Sequence, residues 1–212
     1  MRALFAVGIT LAVAVTCQAS NLSLGKTATA NTNYNGGCGE VFPSPALTDG
    51  LFNDTATGNP CPNGWSFWLG GNGTGSSAVV NIDLGQDYSI DEIDIQTTHN
   101  RGFNDRGTTL FSLYIGTAPV VFGNSGTYGT QVLNSQSLTW TACCAAIPVD
   151  TLSISPTVGR YVTLTSLAAL NNNAGLNEIT VLGGAATSVP EPASFVFVAI
   201  ALVSTRFLCR RG

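Results

Sequence analysis

Charged side chains are scarce in this sequence: they make up 9% of its 212 residues, against 44% hydrophobic ones. A helical bundle or coiled coil covers its solvent face with Glu, Lys and Arg, so neither is expected. Basic residues are scarcer still, 8 Lys and Arg against 12 Asp and Glu, for a net charge of -4. Phosphate neutralisation needs a dense cationic face, and its lack excludes nucleic acid as a partner. The one His, His99, would have to serve any Ser-His-Asp hydrolase, yet no Gly-x-Ser-x-Gly elbow exposes a nucleophile. Glu92 and Asp94 read as a solvated strand face rather than a pair of glycosidic carboxylates. Gly25-Lys26-Thr27 mimics the end of a phosphate loop, but the first Gly would fall at Ser20 with no strand before it, and Gly71-Asn72-Gly73 lacks a third Gly at Ser76. No repeat of about 20 to 50 residues recurs, which sets a propeller or solenoid aside. A non-enzyme is expected.

What is present begins with two terminal addresses. Residues 1–19 carry one positive charge at Arg2, an apolar run over 3–15, and Cys17-Gln18-Ala19, small at the positions signal peptidase reads. This is an export signal cut before Ser20. The rival reading lipidates Cys17, although Thr16 before it fits poorly. At the other end Pro190-Glu191-Pro192 precedes an apolar stretch, Arg206, and the closing Arg210 and Arg211. A helix over about 193–209 can just span a thin bilayer if its arginines snorkel to the cytoplasmic face. That would hold the chain in the inner membrane with its folded part outside. The order Pro-Glu-Pro, single span, arginine cluster resembles the PEP-CTERM sorting signal of Gram-negative bacteria. The resemblance implies recognition and processing by an exosortase, a membrane-anchored intermediate, and delivery to the cell surface or extracellular matrix. An ordinary stop-transfer anchor is the alternative.

Residues 20–186 hold four basic and eleven acidic residues, so this segment is more acidic than the whole, at -7. A domain of this size buries roughly 70% of its unfolded surface, enough for its own core. Strand signals run along it. Residues 78–84 alternate, with Ile82 and Leu84 on one face and Asn81 and Asp83 on the other. Residues 90–97 put Ile93 and Ile95 inward and Glu92 and Asp94 outward. Residues 110–115 bring Phe111, Leu113 and Ile115 together, and 160–164 and 178–182 supply two more short strands. Turns rich in Gly, Asn and Pro separate them, which predicts an all-β, antiparallel jelly-roll β-sandwich.

The motif order is then distinctive. Asn21 to Ala30, Ala46-Leu47-Thr48-Asp49-Gly50, Trp65 or Trp68, Val80-Asn81-Ile82-Asp83-Leu84-Gly85, Asn104-Asp105-Arg106-Gly107-Thr108, Gly159-Arg160-Tyr161-Val162 and Leu176-Asn177-Glu178-Ile179 together resemble a discoidin domain, also called the coagulation factor C-type or galactose-binding-like domain. Two segments depart from that pattern, residues 34–41 and 56–68, both insertions rich in Cys and Gly. The cysteine pair that ties the ends of many animal members is also missing.

Cys38, Cys61, Cys143 and Cys144 lie in the exported segment, and an even number in an oxidising compartment reads as disulfides. Joining the neighbours Cys143 and Cys144 closes a small ring that strains the peptide between them. Cys38 with Cys61 is favoured, a loop worth about 3 kcal/mol in the chain-entropy model. Pairing each of these with one of Cys143 and Cys144 remains open, while zinc suits adjacent cysteines poorly.

Two places could carry chemistry. Residues 49–55 form a turn dense in oxygen ligands of the kind Ca2+ seeks. The discoidin resemblance implies a structural calcium under this loop, closed by a Glu of the last strand, with Asp49, Asp54, Thr55 and Glu178 as ligands. Asp-Gly and Asn-Asp are also ordinary turn formers. Residues 99–106 gather His99, two Arg, two Asn and Phe103 after a strand. A ring against a pyranose face with bidentate donors and acceptors for its hydroxyls makes a sugar site, so His99, Asn100, Arg101 and Phe103 are candidate ligand contacts. Asp105 and Arg106 are instead expected to form an internal ion pair. Trp65 and Phe67 could add a platform, Trp68 is expected in the core, and Trp140 could be either. The expected function is an exported carbohydrate-binding module that contacts an extracellular polysaccharide or glycan. The alternatives are a structural or adhesive matrix protein without a dedicated sugar site and, less favoured, a glycan-active hydrolase.

Overall fold

Eight β-strands carry the fold in the computed structural model, which describes residues 20–57, 64–143 and 145–186. In chain order they are β1 (Ser20–Asn21), β2 (Thr27–Ala30), β3 (Trp68–Leu69), β4 (Val79–Thr97), β5 (Thr108–Gly116), β6 (Thr130–Ser137), β7 (Val149–Ala169) and β8 (Gly175–Ala185). The export signal at 1–19 and the sorting signal and span within 187–212 lie outside the described residues. Among those described, no helix is long and apolar enough to cross a membrane.

All pairings between these strands are antiparallel, and β4 and β7 take part in both halves of the structure. Residues 80–83 of β4 pair with β2 on one side and with residues 161–164 of β7 on the other. Residues 88–97 of the same strand pair with β8 and with the first half of β7. The register breaks between Asp83 and Tyr88. Gly85 sits in that break at φ 89°, a conformation glycine adopts without steric cost. The second half of β7 continues through β5 to the edge strand β6. One bent strand pair thus feeds two layers, the arrangement of a jelly-roll β-sandwich of the galactose-binding-like fold.

The period-two pattern positions the core. Ile82, Leu84, Ile93, Ile95, Phe111, Leu113, Ile115, Val162, Leu164, Ile179 and Val181 all join one buried cluster from both layers. Each such side chain stabilises by about 1.5–3 kcal/mol on burial. The short strands read at 160–164 and 178–182 are segments of the longer β7 and β8, because β4 offers both a continuous partner. Asn81 corrects the alternation. Expected on the outer face, it is buried, because the register sets it between Thr29 and Thr163 and the Thr163 hydroxyl donates to its Oδ1 at 3.0 Å. Asp83 behaves as expected and receives a two-pronged contact from Arg160 at 2.6 and 2.8 Å. That guanidinium holds the Asp83 carboxyl below its usual range.

A second, smaller cluster of Phe42, Phe67 and Leu69 with Tyr34 and Trp65 lies under the two insertions. Ring centroids are 5.2 Å apart for Phe42 and Phe67 and 5.7 Å for Trp65 and Phe67, the range of tilted aromatic packing. Trp68 is buried in the main core, as expected, and its Nε1 donates to the Thr32 carbonyl and to Asn33 Oδ1, both at 3.1 Å.

Candidate functional site

The segment joining β4 to β5 is shaped by three left-handed residues, Asn100 (φ 55°), Arg101 (φ 59°) and Asn104 (φ 53°), around the short 3-10 turn Arg101–Phe103. Asn tolerates that region, whereas an Arg there costs roughly 1–2 kcal/mol. The Arg101 backbone N–H donates to Asp54 Oδ2 at 2.7 Å, which holds the turn in place.

Asp54 is the hub of this turn. Its Oδ1 accepts from the Thr98 hydroxyl at 2.5 Å and from Asn177 Nδ2 at 2.8 Å. Its Oδ2 accepts from Arg101 and lies 3.4 Å from His99 Nε2. A buried carboxylate with this many donors orders everything around it. Asn53 extends the network: Gln96 Nε2 and the Ile147 N–H donate to its Oδ1 at 3.2 and 3.3 Å.

Arg101 is packed among aromatics. Its guanidinium carbon lies 4.3 Å from the Trp65 ring, 4.8 Å from Phe103 and 5.6 Å from Phe42. Its Nη1 donates to Glu40 Oε1 at 2.8 Å, and Trp65 Nε1 donates to the same oxygen at 3.2 Å. Both insertions therefore build the site, Glu40 from the first and Trp65 from the second. Phe103, 66% exposed, stands at the tip.

Two clefts flank this turn. One, about 360 Å³, is lined by Asn53, Asp54, His99, Arg101, Ala145 and Ala146, among others. The second, about 190 Å³, is lined by Tyr34, Gly37, Glu40, Asn100, Phe103, Asp105 and Arg106, with Arg101 at the side it shares with the first. The four predicted ligand contacts thus converge on one rim but divide between its clefts, with Arg101 common to both. His99 and Asn100 are only 6% and 5% exposed, so they also serve as supports for the turn.

The expected ion pair between Asp105 and Arg106 is present but long, 4.0 Å. Arg106 is held more firmly elsewhere: over the Tyr34 ring at 3.8 Å, to Gly70 O at 3.2 Å and to Asn72 Oδ1 at 2.5 Å. Asp105 Oδ1 accepts from Asn100 Nδ2 at 2.7 Å, and the Asp105 side chain is 42% exposed. Trp140 packs half-buried near Gly107. Phe67 is fully buried and offers no platform.

The four predicted calcium ligands separate. Asp49 and Glu178 face one another across the Asp49-Gly50 turn, where the Gly50 N–H donates to Glu178 Oε1 at 3.3 Å. Glu178 is 1% exposed and its Oε2 has no hydrogen-bond partner. Burial, reinforced by the negative charge of Asp49, pushes its carboxyl up to about 8. Asp54 directs its oxygens to the 98–101 segment and Asn177 instead, and the Thr55 hydroxyl donates to Phe52 O at 2.5 Å. Among the described residues, no three His, Cys, Asp or Glu side chains gather as a metal cluster.

Cys143 is disulfide-bonded. Its backbone N–H donates to Asn104 Oδ1 at 2.6 Å, which ties its loop to the 99–106 rim. Cys61 and Cys144, and the Cys38 side chain, lie outside what the structure describes.

Residues that the sequence did not single out are Tyr34, Gly37, Glu40, Asn53, Ala145 and Ala146. They come from distant loops with no shared periodicity, and only their place in the two insertions, in the 49–55 turn and beside the cysteines could have flagged them.

Comparison with known proteins supports the fold. No protein-family profile matches the chain, and no curated protein does. Among solved structures, a chitosan-binding module from a Paenibacillus sp. IK-5 chitosanase/glucanase is similar at 16% identity over 77% of this chain and 99% of its own, with a TM-score of 0.53. The family 32 carbohydrate-binding module of Clostridium perfringens NanJ, solved with galactose, is similar at 20% identity, 78% and 98% coverage and a TM-score of 0.50. A fucolectin from striped bass (Morone saxatilis) serum is similar at 21% identity over 78% of this chain and 49% of its own, with a TM-score of 0.53.

Proposed function

We propose that residues 20–186 form a non-enzymatic carbohydrate-binding module whose 99–106 rim contacts an extracellular polysaccharide or glycan. The observation that carries this reading is Phe103, an exposed aromatic at a rim whose charged side chains already have polar partners. Such a surface offers a ring to a pyranose face and both donors and acceptors to its hydroxyls. The similar sandwiches in a chitosan-binding module and in a galactose complex support it. Arg101 pairs with Glu40 at 2.8 Å and Arg106 lies 4.0 Å from Asp105, two charges of each sign, so the rim suits a neutral sugar better than a uronate. On a glycan array, Arg101→Ala and Phe103→Ala should each lower retention about tenfold or more, the scale of one lost aromatic or charge-assisted contact. Retention unchanged in both variants contradicts the assignment.

Calcium belongs to this reading as a structural ion. Asp49 and Glu178 are the side chains that fit it, since the partnerless Glu178 oxygen and its raised pKa describe a buried carboxylate short of positive charge. Bound there, the ion would neutralise the two carboxylates and brace the 49–55 turn, with backbone carbonyls completing its shell. Asp54 is not included, because both its oxygens are committed to the 98–101 segment and Asn177; Asp49 Oδ1 accepts from the Leu51 N–H at 2.9 Å, while its Oδ2 meets only the Ser66 hydroxyl at 2.9 Å that both oxygens share, and Thr55 would contribute its hydroxyl. In chelator, the folded protein keeps the Glu178 proton where the unfolded chain has lost it. Stability is therefore greatest near and below pH 4.5 as regards this group, and falls as pH rises toward 8. Calcorimetric melting in EGTA should show that decline, and millimolar Ca2+ should remove it and raise the midpoint at pH 8. Identical melting with and without calcium at pH 8 removes the ion from the proposal.

The terminal signals complete the reading. Export with cleavage before Ser20, a transient inner-membrane anchor, and exosortase processing at Pro190-Glu191-Pro192 would deliver the module to the cell surface or matrix, with Cys38 paired to Cys61, which leaves Cys144 as the partner of the disulfide-bonded Cys143 despite the strain of that small ring. Intact-mass measurement and non-reducing peptide mapping of the mature protein test these points, and a retained 187–212 tail would leave a plain anchor.

A further inference from the structure

Resting on the carbohydrate-binding reading, we infer that the two clefts beside Arg101 are adjacent subsites for one glycan chain, so the ligand is a neutral oligosaccharide of at least two units that crosses the Arg101–Phe103 turn. A monosaccharide-only site would need one cleft. Here the wall between the clefts is itself a contact surface, because Arg101 lines both and the exposed Phe103 ring stands beside it.

The second cleft has the features of a built site. Asn100, Arg101 and Arg106 line it, and each carries a buried polar atom with no hydrogen-bond partner: Asn100 Oδ1, Arg101 Nε and Arg106 Nε. Asn100 and Arg106 are themselves more than nine-tenths buried. These three atoms lie just behind the cleft wall, so the polar capacity that faces an incoming hydroxyl is that of the half-exposed Asp105 carboxylate and the edge of the Arg101 guanidinium. Tyr34 fixes Arg106 from below, and the exposed Asp105 carboxylate adds an acceptor at the mouth. The charged side chains number two of each sign, Glu40 and Asp105 against Arg101 and Arg106. That balance favours an uncharged sugar over a uronic acid.

Substitutions can block the clefts one at a time. A Cβ on Gly37 meets nothing within 4 Å, so a side chain starts there without a clash and Gly37→Trp brings an indole to the rim of the second cleft. Ala146 is exposed beside the first cleft, so Ala146→Trp fills that one. The test is isothermal titration of the full chain with matched neutral pairs: galactose and galactobiose, glucose and cellobiose, N-acetylglucosamine and diacetylchitobiose. For the pair that binds, the disaccharide should be about tenfold tighter, the return on one or two net hydrogen bonds. Gly37→Trp and Ala146→Trp should each erase that gain, and the one that fills the cleft a single unit occupies should also abolish monosaccharide binding. Circular dichroism checks that both variants are folded, and Gly37→Ser serves as a small substitute that keeps the gain. Equal affinity for monomer and dimer in the native protein, or a gain that survives Gly37→Trp, overturns the inference while leaving the binding module intact. Failure to bind any of the saccharides removes both readings.

Discussion

Asp54→Ala is expected to lower the unfolding midpoint by roughly 10 °C and to abolish glycan retention. The carboxylate accepts from the Thr98 hydroxyl, the Asn177 amide and the Arg101 N–H. Asn177 is fully buried, so its amide cannot turn to water when the acceptor is lost. Stranding buried donors of this kind costs about 3–5 kcal/mol. For a domain of this size, each kcal/mol moves the midpoint by roughly 2–4 °C. Binding should fail with stability because the left-handed Arg101 loses its anchor and the turn between the clefts relaxes. Asp54→Asn keeps one acceptor oxygen and should fall between the two. Calorimetry on the three proteins decides the matter, and an Asp54→Ala midpoint within about 2 °C of the native one would contradict the hub assignment.

Gly107→Ala should be as damaging for a different reason. A Cβ there would stand 2.3 Å from the Thr98 carbonyl oxygen and 3.0 Å from Trp140 Cδ1, at φ 145°. The nearest obstacle is backbone, which cannot swing aside as a flexible side chain does. Overpacking against a fixed strand end, added to a backbone angle that L-residues avoid, costs about 3 kcal/mol or more. Gly107 also links the rim to the 170–173 turn, donating to Asn173 O at 3.1 Å and accepting from the Leu170 N–H at 2.9 Å. Gly102→Ala is the matched control, since a Cβ there meets nothing within 4 Å. The account expects Gly102→Ala to melt like the native protein and Gly107→Ala to melt roughly 8–10 °C lower. Equal midpoints would mean that the 97–108 segment is not packed as described.

The core was legible because it obeys a simple period. Ile93 and Ile95 alternate with Glu92 and Asp94, and a half-buried strand leaves no other pattern. Asn81 broke the rule because a polar cross-strand partner, Thr163, satisfies it inside. The rim was legible in part. Residues 99–106 stand out as a dense polar group in a chain poor in charge, and Phe103 is where an exposed aromatic was expected. Glu40 was not legible, since its bond to Arg101 joins residues 61 apart and one acid in an insertion gives no local signal. Asp54 departs from what the discoidin resemblance implied. That resemblance placed it in one site with Asp49, but Asn53 and Asp54 are both left-handed, at φ 63° and 52°. That pair of residues redirects the chain, and the Asp54 carboxylate meets Thr98 and Asn177 instead.

The most direct measurement is a backbone amide NMR titration of the protein with the saccharide that a glycan array selects. Shift changes should concentrate at Arg101, Gly102, Phe103 and Ala146 and be negligible around Gly85, at the bend of β4. Perturbations centred on that bend, or scattered without relation to Arg101, would contradict the placement of the glycan on the 99–106 rim.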